Sequence, residues 1–145
     1  MLKWQETYAT GIADIDEQHK KIFGMINELD DAIASGDARA HLGRTIQFLG
    51  HYAKIHFNFE EICMAKYRCP VAAKNKNAHQ EFKESYLKYA ERFRREGYSD
   101  QLLHDIHKMC EDWIVYHICH VDVHLRECVH KNAALEPSQE KGKGT

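Results

Sequence analysis

The sequence predicts an all-α fold, an up-down-up-down antiparallel four-helix bundle, on three observations. Apolar residues recur at three- and four-residue spacing through four long segments, the breaks between segments are a few residues each, and no block alternates as a strand would. Short connections between long helices favour antiparallel neighbours, which sets the topology.

The first helix is expected to start near Asp14 or Asp16, either of which could cap it. It carries Ile15, His19, Ile22, Phe23, Ile26, Leu29 and Ile33 at helical spacing before Ser35-Gly36 ends it. The second runs from about Ala38 to Tyr67 with Leu42, Ile46, Leu49, Ala53, His56, Glu60, Cys63 and Tyr67 on one stripe, stopped by Arg68-Cys69-Pro70. The third, from about Val71 to Glu96, aligns Val71, Asn75, Ala78, His79, Phe82, Tyr86, Tyr89 and Phe93, and Gly97 breaks it. The fourth begins near Ser99 or Asp100 and turns Leu103, Ile106, Cys110, Trp113, His117, Val121, Leu125 and Cys128 inward. The bundle is thus expected over residues 1–132, and residues 133–145, ending EPSQEKGKGT, read as a disordered tail.

Composition narrows the function. A chain of 145 residues, 43% hydrophobic and 10% aromatic, suits one domain with its own core. The formal net charge is −2 with both signs mixed along the chain, so neither a nucleic-acid footprint nor a polybasic membrane surface is indicated. The N-terminus lacks the apolar region of a signal peptide, and no apolar run nears the roughly 20 residues that span a bilayer, so a soluble, cytoplasmic protein is expected. Five cysteines, Cys63, Cys69, Cys110, Cys119 and Cys128, include no C-x-x-C pair and read as reduced thiols. Eleven histidines are a heavy load for an ordinary domain and direct attention to metal binding.

Six metal-ligating residues, His19, His56, Glu60, His79, His117 and Asp122, lie on the apolar stripes of the four helices. An unpaired polar group buried there costs about 1 to 3 kcal/mol, and an unpaired charge more, so the set needs compensation. His56 and Glu60 are spaced i, i+4 and share one face, as do Asn75 and His79. His117 and Asp122 are five apart, about 140° around an ideal helix, so both reach one site only if Asp122 approaches from the flank or the helix is distorted. Mixed imidazole and carboxylate ligands suit iron or zinc better than calcium or magnesium. Six ligands exceed the four of a structural zinc, and two cations bridged by Glu60 and Asp122 fit them better.

The stretches YATGIADIDEQH ending at His19 after Trp4, HFNFEE from His56 to Glu61 followed by Met64, YRCP, HQEF from His79, and WIVYHICHVD from Trp113 to Asp122 together resemble the hemerythrin family, in its single-domain bacterial form. The resemblance runs to about residue 130. It implies a non-haem di-iron site (Fe2+/Fe3+ with an oxo or hydroxo bridge) in which His19 and His56 bind one iron, His79 and His117 the other, and Glu60 and Asp122 bridge them. It also implies dioxygen as ligand, with Phe57, Trp113 and Ile114 lining a dry oxygen pocket. Where the family pattern has a further histidine one turn before His79, this chain has Asn75, a much poorer ligand for iron.

The other histidines read as surface or neighbouring residues, with His120 and His124 the two that could replace the missing ligand. Cys63, one turn after Glu60, reads as a small buried residue rather than a thiolate ligand. Glu127 and His130 form a lone Glu-x-x-His pair of no evident role. The function expected is therefore oxygen carriage, storage or supply, with dioxygen or small anions as partners. Alternatives are a di-iron redox protein acting on peroxide or nitric oxide, in which enzymatic turnover is open, and an oxygen- or iron-sensing module, which a chain of this length without an output domain disfavours. Asn75 reads as an opened coordination position, the alternative being a tolerated loss in a protein that no longer binds two irons.

Overall fold

The computed structural model describes residues 2–135, and the expectation of a tail over 133–145 falls largely outside them. Among the described residues the chain is helical with no strand, as expected. Helix α1 spans Ala13–Ser35, α2 Ala38–Lys66 and α3 Ala72–Glu96. The fourth arm is broken: α4 (Asp100–Met109) passes through a π-helical stretch (Cys110–Val115) into α5 (Tyr116–His120), then a 3-10 turn (Asp122–His124) and α6 (Leu125–Leu135). The single continuous fourth helix of the sequence reading is therefore corrected.

Local chemistry explains the ends of the helices. Gly36 takes φ of 82°, a left-handed conformation that closes α1, while Asp37 N–H returns to Ala32 O at 2.8 Å. Ser99 Oγ accepts from Leu102 N–H at 3.0 Å and caps α4. Neither Asp14 nor Asp16 caps α1, which starts after Ile12. Asp16 Oδ1 instead accepts from Thr10 N–H at 2.8 Å and Thr10 Oγ at 2.9 Å, tying down the chain ahead of the helix. That leading segment is held further by Arg126, which donates to Ala9 O at 2.9 Å and Glu6 O at 2.6 Å.

The core has two apolar clusters with a polar layer between them. The larger holds Ile22, Phe23, Ile26, Leu29, Leu42, Ile46, Leu49, Phe57, Phe82, Ile106, Ile114 and Ile118 among others. The smaller holds Ile15, Met64, Cys69, Leu125 and Cys128, with Cys63 packed against it. Along each arm the ligand candidates fall between the two: His19 between Ile15 and Ile22, His56 and Glu60 between Ala53 and Met64, His117 and Asp122 between Ile114 and Leu125. Burial of each large side chain contributes about 1.5 to 3 kcal/mol, so the layer is clamped from both ends. Ile33, placed on the inward stripe by its spacing, is 42% exposed, because α1 outruns the core at its last turn.

Candidate metal centre

His19, His56, Glu60, His79, His117, Asp122 and Asn75 are all buried, none more than 3% exposed. They form two overlapping groups, His19, His56, Glu60 and Asp122, and Glu60, His79, His117 and Asp122, with the ligand atoms of each group within 4.8 Å of one another. The carboxylates are common to both groups and divide their oxygens between them. Glu60 Oε2 lies 3.1 Å from His56 Nε2 and 3.4 Å from His19 Nε2, whereas Oε1 lies 3.2 Å from His79 Nε2 and 3.7 Å from His117 Nε2. Asp122 repeats the division, Oδ2 at 3.1 Å from His19 Nε2 and Oδ1 at 2.9 Å from His117 Nε2.

The break in the fourth arm brings Asp122 into this arrangement. At Val121 φ stretches to −111° with ψ −57°, off the regular helix but still in the right-handed region, and a 3-10 turn follows from Asp122. The tighter turn re-aims a carboxylate that five residues of regular helix would carry away from His117. Of the two routes left open by the spacing, local distortion is the one observed.

These groups are only partly paired: His19 Nε2 and His56 Nε2 share a hydrogen bond at 3.1 Å, and Glu60 Oε1 accepts one from Asn75. Nine buried side-chain polar atoms among the described residues lack a hydrogen-bond partner: His19 Nδ1, Tyr52 Oη, Glu60 Oε2, Asn75 Oδ1, His79 Nδ1 and Nε2, His117 Nε2, and Asp122 Oδ1 and Oδ2. All belong to this cluster or its immediate wall. Most are nitrogen and oxygen lone pairs converging at 2.9 to 3.7 Å without hydrogen-bond alignment. Ligand atoms brought this close together are what a cation held between them requires. Imidazoles and carboxylates together also suit a transition-metal cation in chemistry.

Supporting contacts orient the rings. His56 Nδ1–H donates to Gln18 Oε1 at 2.5 Å, so Nε2 carries the lone pair that faces the cluster, where it meets His19 Nε2 at 3.1 Å. Phe57 stacks flat on His79, centroids 3.9 Å apart at 4°, and Trp113 stacks on His117 at 4.5 Å and 11°. The expected Asn75 faces the cluster directly: its Nδ2 donates to Glu60 Oε1 at 2.8 Å while its Oδ1 is unpaired.

Electrostatics in the metal-free cluster follow from burial and mutual charge. Burial pushes His19 and His117 down, but the adjacent Asp122 and Glu60 carboxylates outweigh it and raise both to about 9. Burial dominates at His56 and lowers it. Burial raises Glu60, yet the four surrounding histidines more than offset this and hold it well below the usual carboxylate range.

A narrow cavity abuts the cluster, lined by Tyr52, His56, Phe57, Phe82, Trp113, Ile114, His117, Ile118 and Asp122. It has about 10 Å3 of space for the centre of a water-sized molecule. Phe57, Trp113 and Ile114, singled out in the sequence, all line it. His120 and His124 are exposed and lie outside both ligand groups, as do the exposed Glu127 and His130. Cys63 is also outside them. A third group, Asp30, His107 and Glu111, joins α1 to the fourth arm at the surface through a His107–Asp30 ion pair. Gln18 and Tyr52 were missed in the sequence, although Tyr52 stands one turn before His56 and Gln18 adjoins His19.

A helical bundle with two histidine–carboxylate groups in its interior defines a metal-binding bundle protein. Residues 10–126 match the family model described as the hemerythrin HHE cation binding domain, and the chain belongs to the hemerythrin family. It is 35% identical over 119 residues to a bacteriohemerythrin of Stenotrophomonas maltophilia, covering 81% of this chain and 74% of that protein. Against the bacteriohemerythrin of Pseudomonas aeruginosa strain PAO1 it is 32% identical over 144 residues, 99% of this chain and 90% of the relative. The bacteriohemerythrin of Methylococcus capsulatus is 30% identical over 122 residues, 84% and 91% of the two chains. Among the described residues no helix is long and apolar enough to cross a membrane.

Proposed function

We propose that this chain holds two non-haem irons and takes up dioxygen reversibly, serving as an oxygen carrier, store or local supplier. The observation that supports this reading best is the division of the carboxylate oxygens, each of Glu60 and Asp122 offering one oxygen to His19 or His56 and the other to the His79 and His117 side. His19 and His56 would hold one ion and His79 and His117 the other, with Glu60 and Asp122 spanning them. When bound, a ferrous pair supplies the two electrons needed to take up dioxygen and return it. Phe57, Phe82, Trp113, Ile114 and Ile118 keep bulk water from the cavity, which favours return of the ligand over its loss in reduced form.

The test is an iron count with optical spectra under anaerobic and aerated conditions. Two irons per chain and a charge-transfer band that appears in air and disappears on removal of oxygen support the carrier. Zinc or no metal in protein grown with iron would overturn it.

A second reading, turnover of peroxide or nitric oxide, is favoured by one observation. Asn75 spends its amide hydrogen on Glu60, so the two ligand groups offer equal donor sets, two imidazoles and two carboxylate oxygens each. Each group would then leave room for an incoming ligand at the ion it held. Irreversible conversion to a stable diferric form in air would favour this reading over carriage.

A further inference from the structure

Tyr52 carries a polar atom that the ligand set does not use. It stands one turn before His56 on α2, its ring stacked on the His56 imidazole with centroids 4.9 Å apart at 24°. The edge of the ring reaches the surface, but its hydroxyl is buried and has no hydrogen-bond partner. Leaving such a hydroxyl unpaired is unfavourable, and a phenylalanine would fill the same shape without that cost. The residue also lines the narrow cavity beside the cluster, together with Phe57, Trp113, His117 and Asp122. Apart from the ligand groups themselves, that cavity is walled by hydrocarbon and aromatic rings. Among the described residues the Tyr52 hydroxyl is a buried donor in that lining with no hydrogen-bond partner.

We propose that Tyr52 is a ligand-specificity residue, whose hydroxyl donates a hydrogen bond to a small anion entering this cavity at the metal centre. The inference rests on the di-iron reading above. A neutral diatomic gains little from a single phenol donor, whereas an anion in an otherwise apolar cavity gains a charge-assisted bond. The cavity therefore discriminates by charge as well as by size.

Azide is a suitable probe because it is a small anion with a sharp vibrational signature. Diferric protein is titrated with azide, and the infrared band of the bound azide is compared in H2O and D2O. In the wild type the band is expected to shift in D2O, and in Tyr52→Phe the shift should vanish and the azide Kd rise about tenfold. Far-UV circular dichroism and iron content verify that the variant folds and loads. The D2O comparison on the unmodified protein tests the donor independently of any variant. Two irons with an azide band indifferent to D2O, or a Tyr52→Phe Kd within twofold of wild type, would overturn the assignment of Tyr52 alone. Failure of the wild type to load iron would overturn the di-iron reading and this inference together.

Discussion

Asn75 Nδ2 donates to Glu60 Oε1 at 2.8 Å, so the residue one turn before His79 grips a carboxylate instead of offering an imidazole. Its position is fully buried and points into the cluster, and the unpaired Oδ1 shows that its own hydrogen-bonding capacity is only half used. Asn75→His is expected to add a donor to the His79 and His117 group and raise affinity for its ion about tenfold, or about 1.4 kcal/mol. The oxygenated form should also autoxidise more slowly. Iron stoichiometry and autoxidation half-life, measured in both proteins side by side, check this. Equal values in the two would mean that Asn75 does not limit the second position.

Both carboxylates are expected to matter for metal far more than for fold. Glu60→Gln and Asp122→Asn keep side-chain volume but leave the cations without a shared anion, so each variant should lose most of its iron while far-UV helicity stays near wild type. The apolar clusters on either side of the layer carry the fold and keep all their side chains in both variants. Retention of two irons by either variant would remove that residue from the bridging role.

The sequence made the first three arms legible because their ligand candidates sit on regular i, i+4 stripes, and α1, α2 and α3 are regular helices. Asp122 was not placeable by spacing, since its break at Val121 occurs within HICHVDVH, which contains neither glycine nor proline to announce it. The capping roles of Asp14 and Asp16 failed for a related reason: Thr10, outside the helix, competes for the Asp16 carboxylate. Tyr52 escaped notice because a buried tyrosine on an apolar stripe normally finds an acceptor, and only coordinates reveal that this one has none.

Metal uptake should depend on pH through His19 and His117. Both are raised in the metal-free fold from 6.5 to about 9, so the stability they contribute is fully present below about pH 6.5 and is lost as pH rises toward 9. A cation must displace those protons, so apparent metal affinity should climb across the same window, with close to two protons released per loaded centre near pH 7.5. His56, already lowered, should contribute none. Calorimetric titration with ferrous ion in buffers of different ionisation enthalpy reads the proton count directly. Uptake without proton release at this pH would show that the cluster is not protonated as the geometry implies.

Two helix glycines should respond oppositely to alanine. Gly24 lies mid-helix on the exposed side of α1, and a Cβ there meets nothing within 4 Å, so Gly24→Ala should stabilise by about 1 kcal/mol through helix propensity alone. For a chain of this size that raises Tm by about 2 to 4 °C. Gly50 lets α2 and α3 approach: a Cβ there would lie 2.4 Å from Tyr86 Oη and 2.9 Å from Cζ, while that hydroxyl donates to Ile46 O at 2.9 Å. Gly50→Ala gains the same propensity but must push the Tyr86 ring aside and break its hydrogen bond. Overpacking of this kind costs about 1 to 3 kcal/mol, so the variant should melt below wild type. Thermal melts of the two metal-free variants decide the point, and a stabilised Gly50→Ala would mean that Tyr86 swings out freely and does not hold α2 to α3.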